Sequence, residues 1–473
     1  MSAEAHRATQ DGTREPLGDQ RAESMGYAGI KRVTDSIIRG LSAGGPRRCL
    51  ATLGGTTTLA DCLVALRYLA DPRALIRGTA ITDYEEAFAQ AVGVRYAYSF
   101  SAGRVGLYCL LRAIRIGAGD EVLLQVPTHM VVANAVRYTG AKPVYVDCRL
   151  DTYGINLDEA ERLVTPRTKA LIIQHTFGIP TDLDAALDLA NRYDLEVIED
   201  CVHALGAKYD GRQVGSFGRS AFFSTEETKT ISTTMGGMAV TDDAELAASI
   251  EAFQASCSWP APSTTSRYLL ELVLYHLVFE PHLHRYVREI YELVGERNPL
   301  PGPTTNDEAR GLKPPNYERR LSNAQAALGL RQLQSLDVNI AHRRAVADQY
   351  TSRLSELGIR TYEAPAKAQP ALVRYPVRVR NRTATLRAVA PHAALGTWFT
   401  SVLQESLSPV YGDYVEGSCP RAESAAKQLV NLPTNPRVTE RDVEAITSGL
   451  ARVMSMHGMD EAAPASRGEA APG

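Results

Sequence analysis

Between Tyr96 and Thr241, short apolar runs alternate with segments of helical spacing, and that alternation leaves few folds open. Strand-like runs fall at Tyr96–Phe100, Glu121–Val126, Pro143–Asp147, Ala170–Gln174, Glu196–Glu199, Ala221–Phe223 and Gly237–Thr241. Helical patterns at Val105–Ile114, Val131–Tyr138, Leu157–Val164 and Leu183–Tyr193 lie between several of them. Strands and helices alternating at this length imply βαβ units. The pattern therefore predicts an α/β chain whose central sheet is mostly parallel and flanked by helices on both faces. Ligands of such sheets bind beyond the carboxyl ends of the strands, which is where His175, Asp200 and Ser224 would lie.

The rest of the chain divides around this block. A length of 473 residues suggests two or three domains. Residues 1–25 are polar and read as a disordered extension, as does the tail 458–473. Residues 26–260 read as the large domain, with a helical segment at its start, and 261–310 as an apolar helical insert broken by Pro281. A long helical stretch, Ser322 to Glu356, supplies a linking helix over 311–356, and 357–457 reads as a smaller α/β domain. The net charge of −3 points to neither nucleic acid nor an anionic membrane. The seven cysteines include no CxxC pair, which argues against a disulfide framework or a structural metal and suits a reducing cytoplasm. No signal peptide and no spanning run of roughly 18 apolar residues is visible.

The chemistry concentrates in Leu195–Val240. Asp200 closes one apolar run, Ser224 follows a second, and Lys229 lies in the polar segment TEETKTISTTMGG before the third. An acid, a hydroxyl and an amine so spaced suggest a site that holds an aldehyde cofactor as a Schiff base on Lys229, namely pyridoxal 5′-phosphate (PLP). A carboxylate at Asp200 would keep the pyridine nitrogen protonated. Each residue also has a plainer reading: Lys229 as a solvated loop lysine, Asp200 as a helix N-cap, and His203 as a hydrogen-bonded core histidine rather than a flank of the ring. The phosphate needs backbone N–H groups, hydroxyls and a helix dipole. The turn Ser101–Arg104, with Ala102, Gly103 and Arg104 between a strand and a helix, offers the first and last, and Ser224 the second.

The motifs PVYVD (143–147), TPRTKALI (165–172), VIEDCVHALGAKYDGRQVGSFG (197–218), FSTEETK (223–229), GGMAVT (236–241) and NAQAALGLRQL (323–333) occur in an order that resembles the DegT–DnrJ–StrS family of PLP-dependent aminotransferases. The resemblance covers about Thr79 to Leu450, with a gap at the 260–310 insert. It implies the type I aminotransferase fold, with a smaller C-terminal α/β domain, and a homodimer whose active sites are shared between subunits. It also implies amination of a keto group, on a nucleotide-linked keto-sugar, with an amino acid such as glutamate as donor. Carried onto this chain, it makes Lys229 the Schiff-base lysine, Asp200 the partner of the pyridine nitrogen and His203 the residue beside the ring. Ser224 and the Ala102–Gly103 turn become the phosphate ligands.

The chain departs from that pattern in two places. Where the family carries an aromatic residue to stack on the ring, this chain reads QVPTHM (125–130), so Pro127 or His129 takes that place. Where the family has a partner-subunit asparagine, PPNYERRLS (314–322) offers Asn316, or Arg320 in better alignment. Lysine at 229 argues against the dehydratases of the family that lack it. Dehydration, a non-sugar or lipid-linked keto substrate, and a non-catalytic PLP-binding regulator remain the competing readings; the last is expected to lack Lys229 or Asp200. The apolar positions of 268–293 are expected to bury against the dimer partner. Membrane contact is the other reading, weakened because Glu271, His276 and Glu280 interrupt the run and Arg285 and Arg288 come late. The aromatic segment Trp398–Glu416 is expected to be core.

Overall fold

The computed structural model describes residues 48–294 and 304–457. The expectations for 1–25 and 458–473 lie outside the described residues. The described chain falls into one large unit, Arg48–His284 with 304–457, and a second to which 285–294 belong.

Seven strands form the central sheet: β1 (Tyr96–Phe100), β2 (Glu121–Gln125), β3 (Lys142–Val146), β4 (Thr168–Gln174), β5 (Glu196–Asp200), β6 (Ser220–Ser224) and β7 (Gly237–Thr241). Their order is β1-β7-β6-β5-β4-β2-β3. The neighbours from β6 to β3 pair in parallel, whereas β7 runs antiparallel to both β6 and β1. Alternate residues enter different cores: Leu171, Ile173, Val197 and Phe223 pack on one face, and Ala170, Ile172, Ile198 and Phe222 on the other. Burial on both faces explains why these strands read as continuous apolar runs rather than alternating ones.

Helices α1 (Leu59–Ala70) and α2 (Ala80–Val92) precede the sheet. Crossovers α3 (Gly103–Ala113), α4 (Met130–Tyr138), α5 (Leu157–Leu163) and α6 (Leu183–Arg192) follow, with α7 (Ala244–Ser256) after β7. Aspartates start two of these helices: Asp182 accepts from Ala185 N–H, and Asp243 from Glu245 and Leu246 N–H. The insert forms α8 (Pro262–Val278) and α9 (Pro281–Val294), with Pro281 as the first residue of the second helix, where its missing N–H costs nothing. Part of the apolar run expected at a partner is spent within this chain, since Leu269 and Leu272 pack with Cys62, Ala65 and Leu328. Leu270, Leu274 and Leu277 stay exposed. No helix among the described residues is long and apolar enough to cross a membrane.

The single helical stretch read from Ser322 to Glu356 is two helices, α10 (Asn323–Leu333) and α11 (Leu336–Glu356), parted at Gln334–Ser335. Beyond them, β8 (Arg374–Arg378) and β9 (Leu429–Pro433) pair antiparallel. With α11, α12 (Arg382–Val389) and α13 (Glu440–His457), they enclose a core that includes Tyr350, Tyr375, Val377, Leu432 and Ile446.

Candidate active site

The sheet brings the chemistry-bearing residues to one edge. Gly237 of β7 is in register with both Phe100 of β1 and Ser224 of β6, and Phe222 of β6 with Asp200 of β5. The ends of β1, β5 and β6 therefore coincide, and the Thr225–Gly236 segment carrying Lys229 leaves from that edge. Backbone bonds hold it in shape: Thr225 N–H donates to Gly236 O, Glu227 N–H to Thr234 O and Lys229 N–H to Glu226 O. Glu227 turns inward, accepting from Gly54 N–H at 3.0 Å and from the Ser232 hydroxyl at 2.7 Å.

Asp200 is buried, with one oxygen accepting from Val202 N–H at 3.1 Å and its Oδ2 without any partner. Burial raises its pKa to about 7, against the opposing pull of the Val202 N–H and the Lys229 charge. Burial likewise lowers the Lys229 amine to about 8, countered by Glu226. Such a lysine is partly neutral near pH 7 and can act as a nucleophile or base.

The turn at Ser101–Gly103 meets β6 and β7 at very short range. A Cβ on Gly103 would lie 2.8 Å from Phe223 O, and one on Gly237 would lie 2.2 Å from Gly103 N. Only glycine lets the start of α3 settle against the strands, with its first N–H groups unclaimed inside the helix. Ser224 stands next to it, its Cβ 3.3 Å from that same Gly103 position.

His203 is layered between Phe177 and Trp398, with centroids 6.4 and 4.6 Å away and planes within 6° and 13°. Its Nδ1 accepts from Phe177 N–H at 3.3 Å, which assigns the ring hydrogen to Nε2. Burial, and then the Lys229 and Arg374 charges, hold the imidazole neutral. In the segment Trp398–Glu416, Phe399 and Tyr414 are core as expected, whereas Trp398 is only half-buried. Lys229 Nζ lies 4.3 Å from its ring centroid and Arg374 Cζ 3.8 Å. Asn431 fixes the Trp398 backbone by accepting from its N–H and donating to its carbonyl. Sequence reasoning passed over Arg374; its signal was an arginine opening a strand whose other members pack inward.

Other expected residues are engaged elsewhere. His129 caps α4, its Nδ1 accepting from Val131 N–H, and its Nε2 sits 3.4 Å from Glu405. Arg104 turns its guanidinium to Glu308 at 2.8 Å. Arg320 lies 4.3 Å above Trp259 and donates to Gln254, while its backbone bridges Phe100 beside the Ser101–Gly103 turn. Asn316 is exposed, and its carbonyl accepts from Arg319. His175 lies at the expected edge, but its two ring nitrogens are spent on Glu199 (3.1 Å) and Thr181 N–H (3.1 Å). Glu199 also accepts from Gly215, Phe217 and Gly218 N–H, so this pair braces the sheet.

The profile of the DegT/DnrJ/EryC1/StrS aminotransferase family matches residues 60–451. The chain belongs to that family. Over 382 residues this aminotransferase is 31% identical to GDP-perosamine synthase of Caulobacter vibrioides, covering 80% of this chain and 91% of that protein. It is 27% identical to the UDP-N-acetyl-3-dehydro-alpha-D-glucosamine 3-aminotransferase of Acidithiobacillus ferrooxidans, over 84% of this chain and 94% of that one. The X-ray structure of S. venezuelae DesV superposes with a TM-score of 0.67 at 26% identity, covering 86% of this chain and 98% of DesV. The chain is thus a PLP-dependent enzyme of the type I aminotransferase fold.

This aminotransferase carries side chains that fit PLP. The partnerless Asp200 Oδ2 matches a protonated ring nitrogen, the N-terminus of α3 with Ser224 matches a phosphate, and the depressed Lys229 amine matches an aldehyde.

Proposed function

We propose that the enzyme converts the keto group of a nucleotide-linked sugar to an amine, with glutamate as amino donor. The observation that carries this reading is a half-buried amine lowered to about 8 and a buried carboxyl with a free oxygen at one sheet edge. The names of the relatives, a GDP-perosamine synthase and a UDP-sugar 3-aminotransferase, support the sugar substrate.

When bound, PLP supplies an electron sink that lets an amino group pass from one carbon to another. Lys229 would hold the cofactor aldehyde and, once released, its Nζ would take the α-proton of the donor and return it to the carbon that had carried the aldehyde. Asp200 presents a negative charge to the ring nitrogen. A cation there also lowers the carboxyl pKa again, so the charge persists at neutral pH. Neutral His203, with its ring hydrogen on Nε2, would flank the ring without adding a second positive charge. Ser224 and the turn Ala102–Gly103 hold the phosphate. Loss of the visible cofactor band and of turnover in Lys229→Ala is the expected result; a variant that keeps the band with added PLP removes the assignment.

A homodimer with shared sites belongs to the same proposal, with Asn316 and Arg320 offered to the partner. The exposed leucines of α1 (Leu59, Leu63, Leu66) and α8 (Leu270, Leu274, Leu277) support a covered surface. Sedimentation of the enzyme as a monomer at micromolar concentration would remove it. The seven cysteines, all buried and none in a disulfide, support a cytoplasmic location, which cell fractionation tests.

A further inference from the structure

The side chains that reach the Lys229 segment from α10 and α11 are neutral amides. Gln332 Oε1 accepts from Ser232 N–H at 2.6 Å, Gln325 Nε2 donates to Thr233 O at 3.2 Å, and Asn339 Nδ2 donates to Thr230 O at 2.6 Å. The segment's own Glu227 makes a different kind of tie. It is 4% exposed, and among the described residues no cation forms an ion pair with it. Its Oε1 reaches residues 52–57, accepting from Gly54 N–H at 3.0 Å and from the Thr57 hydroxyl at 3.5 Å, while Oε2 accepts from the Ser232 hydroxyl at 2.7 Å. Residues 52–57 are themselves gripped. A Cβ on Gly54, whose φ is +69°, would lie 2.9 Å from Tyr275 O of α8, and one on Gly55 would lie 2.3 Å from Asn435 Cγ. Arg437 donates to Phe279 O at 2.8 Å and to Thr57 O at 3.4 Å, and His276 Nδ1 lies 3.0 Å from that same Thr57 carbonyl. Helix α8 also meets the Lys229 segment directly, where the Thr234 hydroxyl donates to Tyr268 O at 3.2 Å.

We propose that Glu227 is a positioning residue for Lys229, with α8 and Arg437 holding residues 52–57 against it as a clamp. This rests on the aminotransfer reading of the site, and it gives the apolar insert a part in that site. The path is short: Glu227 stands two residues before Lys229, and Lys229 N–H closes the turn between them by donating to Glu226 O. One N–H and two hydroxyls converge on the carboxyl, a set that suits the ionised form, which only accepts. Protonation withdraws an acceptor oxygen and slackens the clamp. Burial raises the carboxyl to about 7, against the pull of the Ser232 hydroxyl and Gly54 N–H. The titratable and charged groups that face it are Glu226 and Lys229 on its own segment, Asp61 and Cys62 on α1, Tyr275 on α8 and Arg437 beyond β9, with Arg343 and Arg374 across the cavity it lines. Of these, only Glu227 is bonded both within the Lys229 segment and to residues 52–57. A slack segment moves Nζ off the proton it has to carry, and a displacement of about 1 Å costs on the order of a hundredfold in rate.

The test compares the wild-type enzyme with Glu227→Gln and Arg437→Gln. Glutamine at 227 keeps the volume and an oxygen for Gly54 N–H, but turns an amide toward Ser232. In the cofactor-free enzymes, hydrogen–deuterium exchange over 225–236 at pH 8 is expected to quicken about tenfold or more in both variants, with β5 unchanged. In the PLP-loaded enzymes, the rate at which L-glutamate removes the visible cofactor band is expected to fall about 10- to 100-fold in Glu227→Gln, while its apparent Kd stays within about threefold. The wild-type rate should drop as pH falls through about 7, and Glu227→Gln should lose that limb. The folded carboxyl lies above its unfolded value of 4.5, so the stability it provides is lost as pH rises through about 7, and Glu227→Gln should melt no lower than wild type at pH 8. Loss of rate without loss of melting temperature separates positioning from mere support. Unchanged exchange over 225–236 in either variant overturns the proposal, as does an acid limb that the substitution leaves in place. A joint fall in melting temperature, glutamate affinity and rate also overturns it, because that marks a merely structural residue. If the wild-type enzyme does not convert with L-glutamate, the aminotransfer reading fails, and the exchange measurement still judges Glu227 by itself.

Discussion

Replacing Asp200 by asparagine keeps the side chain's shape and an oxygen for Val202 N–H, but removes the charge. Burial takes the Asp200 carboxyl from 3.8 to about 7. Three units at about 1.36 kcal/mol each make the unpaired carboxylate cost about 4 kcal/mol in the cofactor-free protein. The folded value lies above the unfolded one, so the stability this group provides is fully present below pH 3.8 and lost as pH rises through about 7. Asparagine carries no such penalty. Cofactor-free Asp200→Asn is therefore expected to melt roughly 4–5 °C above wild type at pH 8, with the gap closing toward pH 5. PLP reverses the order of benefit, because only the aspartate can pair with the ring nitrogen. The gain in melting temperature on adding PLP should be smaller in the variant, and turnover lower by about a thousandfold for the same energy. Scanning calorimetry with and without PLP, at pH 5 and pH 8, reads the first two effects, and steady-state rates the third. A cofactor-free variant that melts below wild type at pH 8, or turnover within tenfold of it, refutes the reasoning.

Two further outcomes follow from the same edge of the sheet. The Lys229 amine must be neutral to capture an aldehyde, and its value is about 8. Reconstitution of cofactor-free enzyme should quicken about tenfold per pH unit below 8 and level off above it, and a flat profile from pH 6.5 to 9.5 contradicts the lowered amine. Gly237→Ala puts a methyl 2.2 Å from Gly103 N and 2.4 Å from the Ala102 carbonyl carbon. It should displace the phosphate turn and weaken PLP retention by at least about tenfold in equilibrium dialysis, and unchanged retention removes the turn from the phosphate site.

Several residues are legible as chemistry in the chain's linear order because their setting is local. Asp200 ends an apolar run, Ser224 ends the next, and Lys229 sits in the polar segment that must turn the chain back. The alternation of runs and helices likewise determined the α/β class, since a parallel sheet needs both faces covered. Periodicity was blind to direction, however. The stretch from Ser322 to Glu356 keeps its spacing through Gln334–Ser335, where the structure begins a new helix.

What only the tertiary structure decided was which polar groups are left over. His175 and Asp200 look alike in sequence, each closing or following a buried strand. His175 finds Glu199 and Thr181 N–H, whereas one oxygen of Asp200 finds nothing. Partial burial also distinguishes Lys229 from a solvated loop lysine, because desolvation is the largest cause of the shift of its amine. Arg374 and Trp398 join it from strands and loops more than a hundred residues downstream, across a cavity that no local pattern announces. The sequence by itself determined the α/β class and the cofactor, and it offered the residues proposed to hold it. The packing of distant segments decided which charges stand unpaired, and so where a ligand's opposite charge belongs.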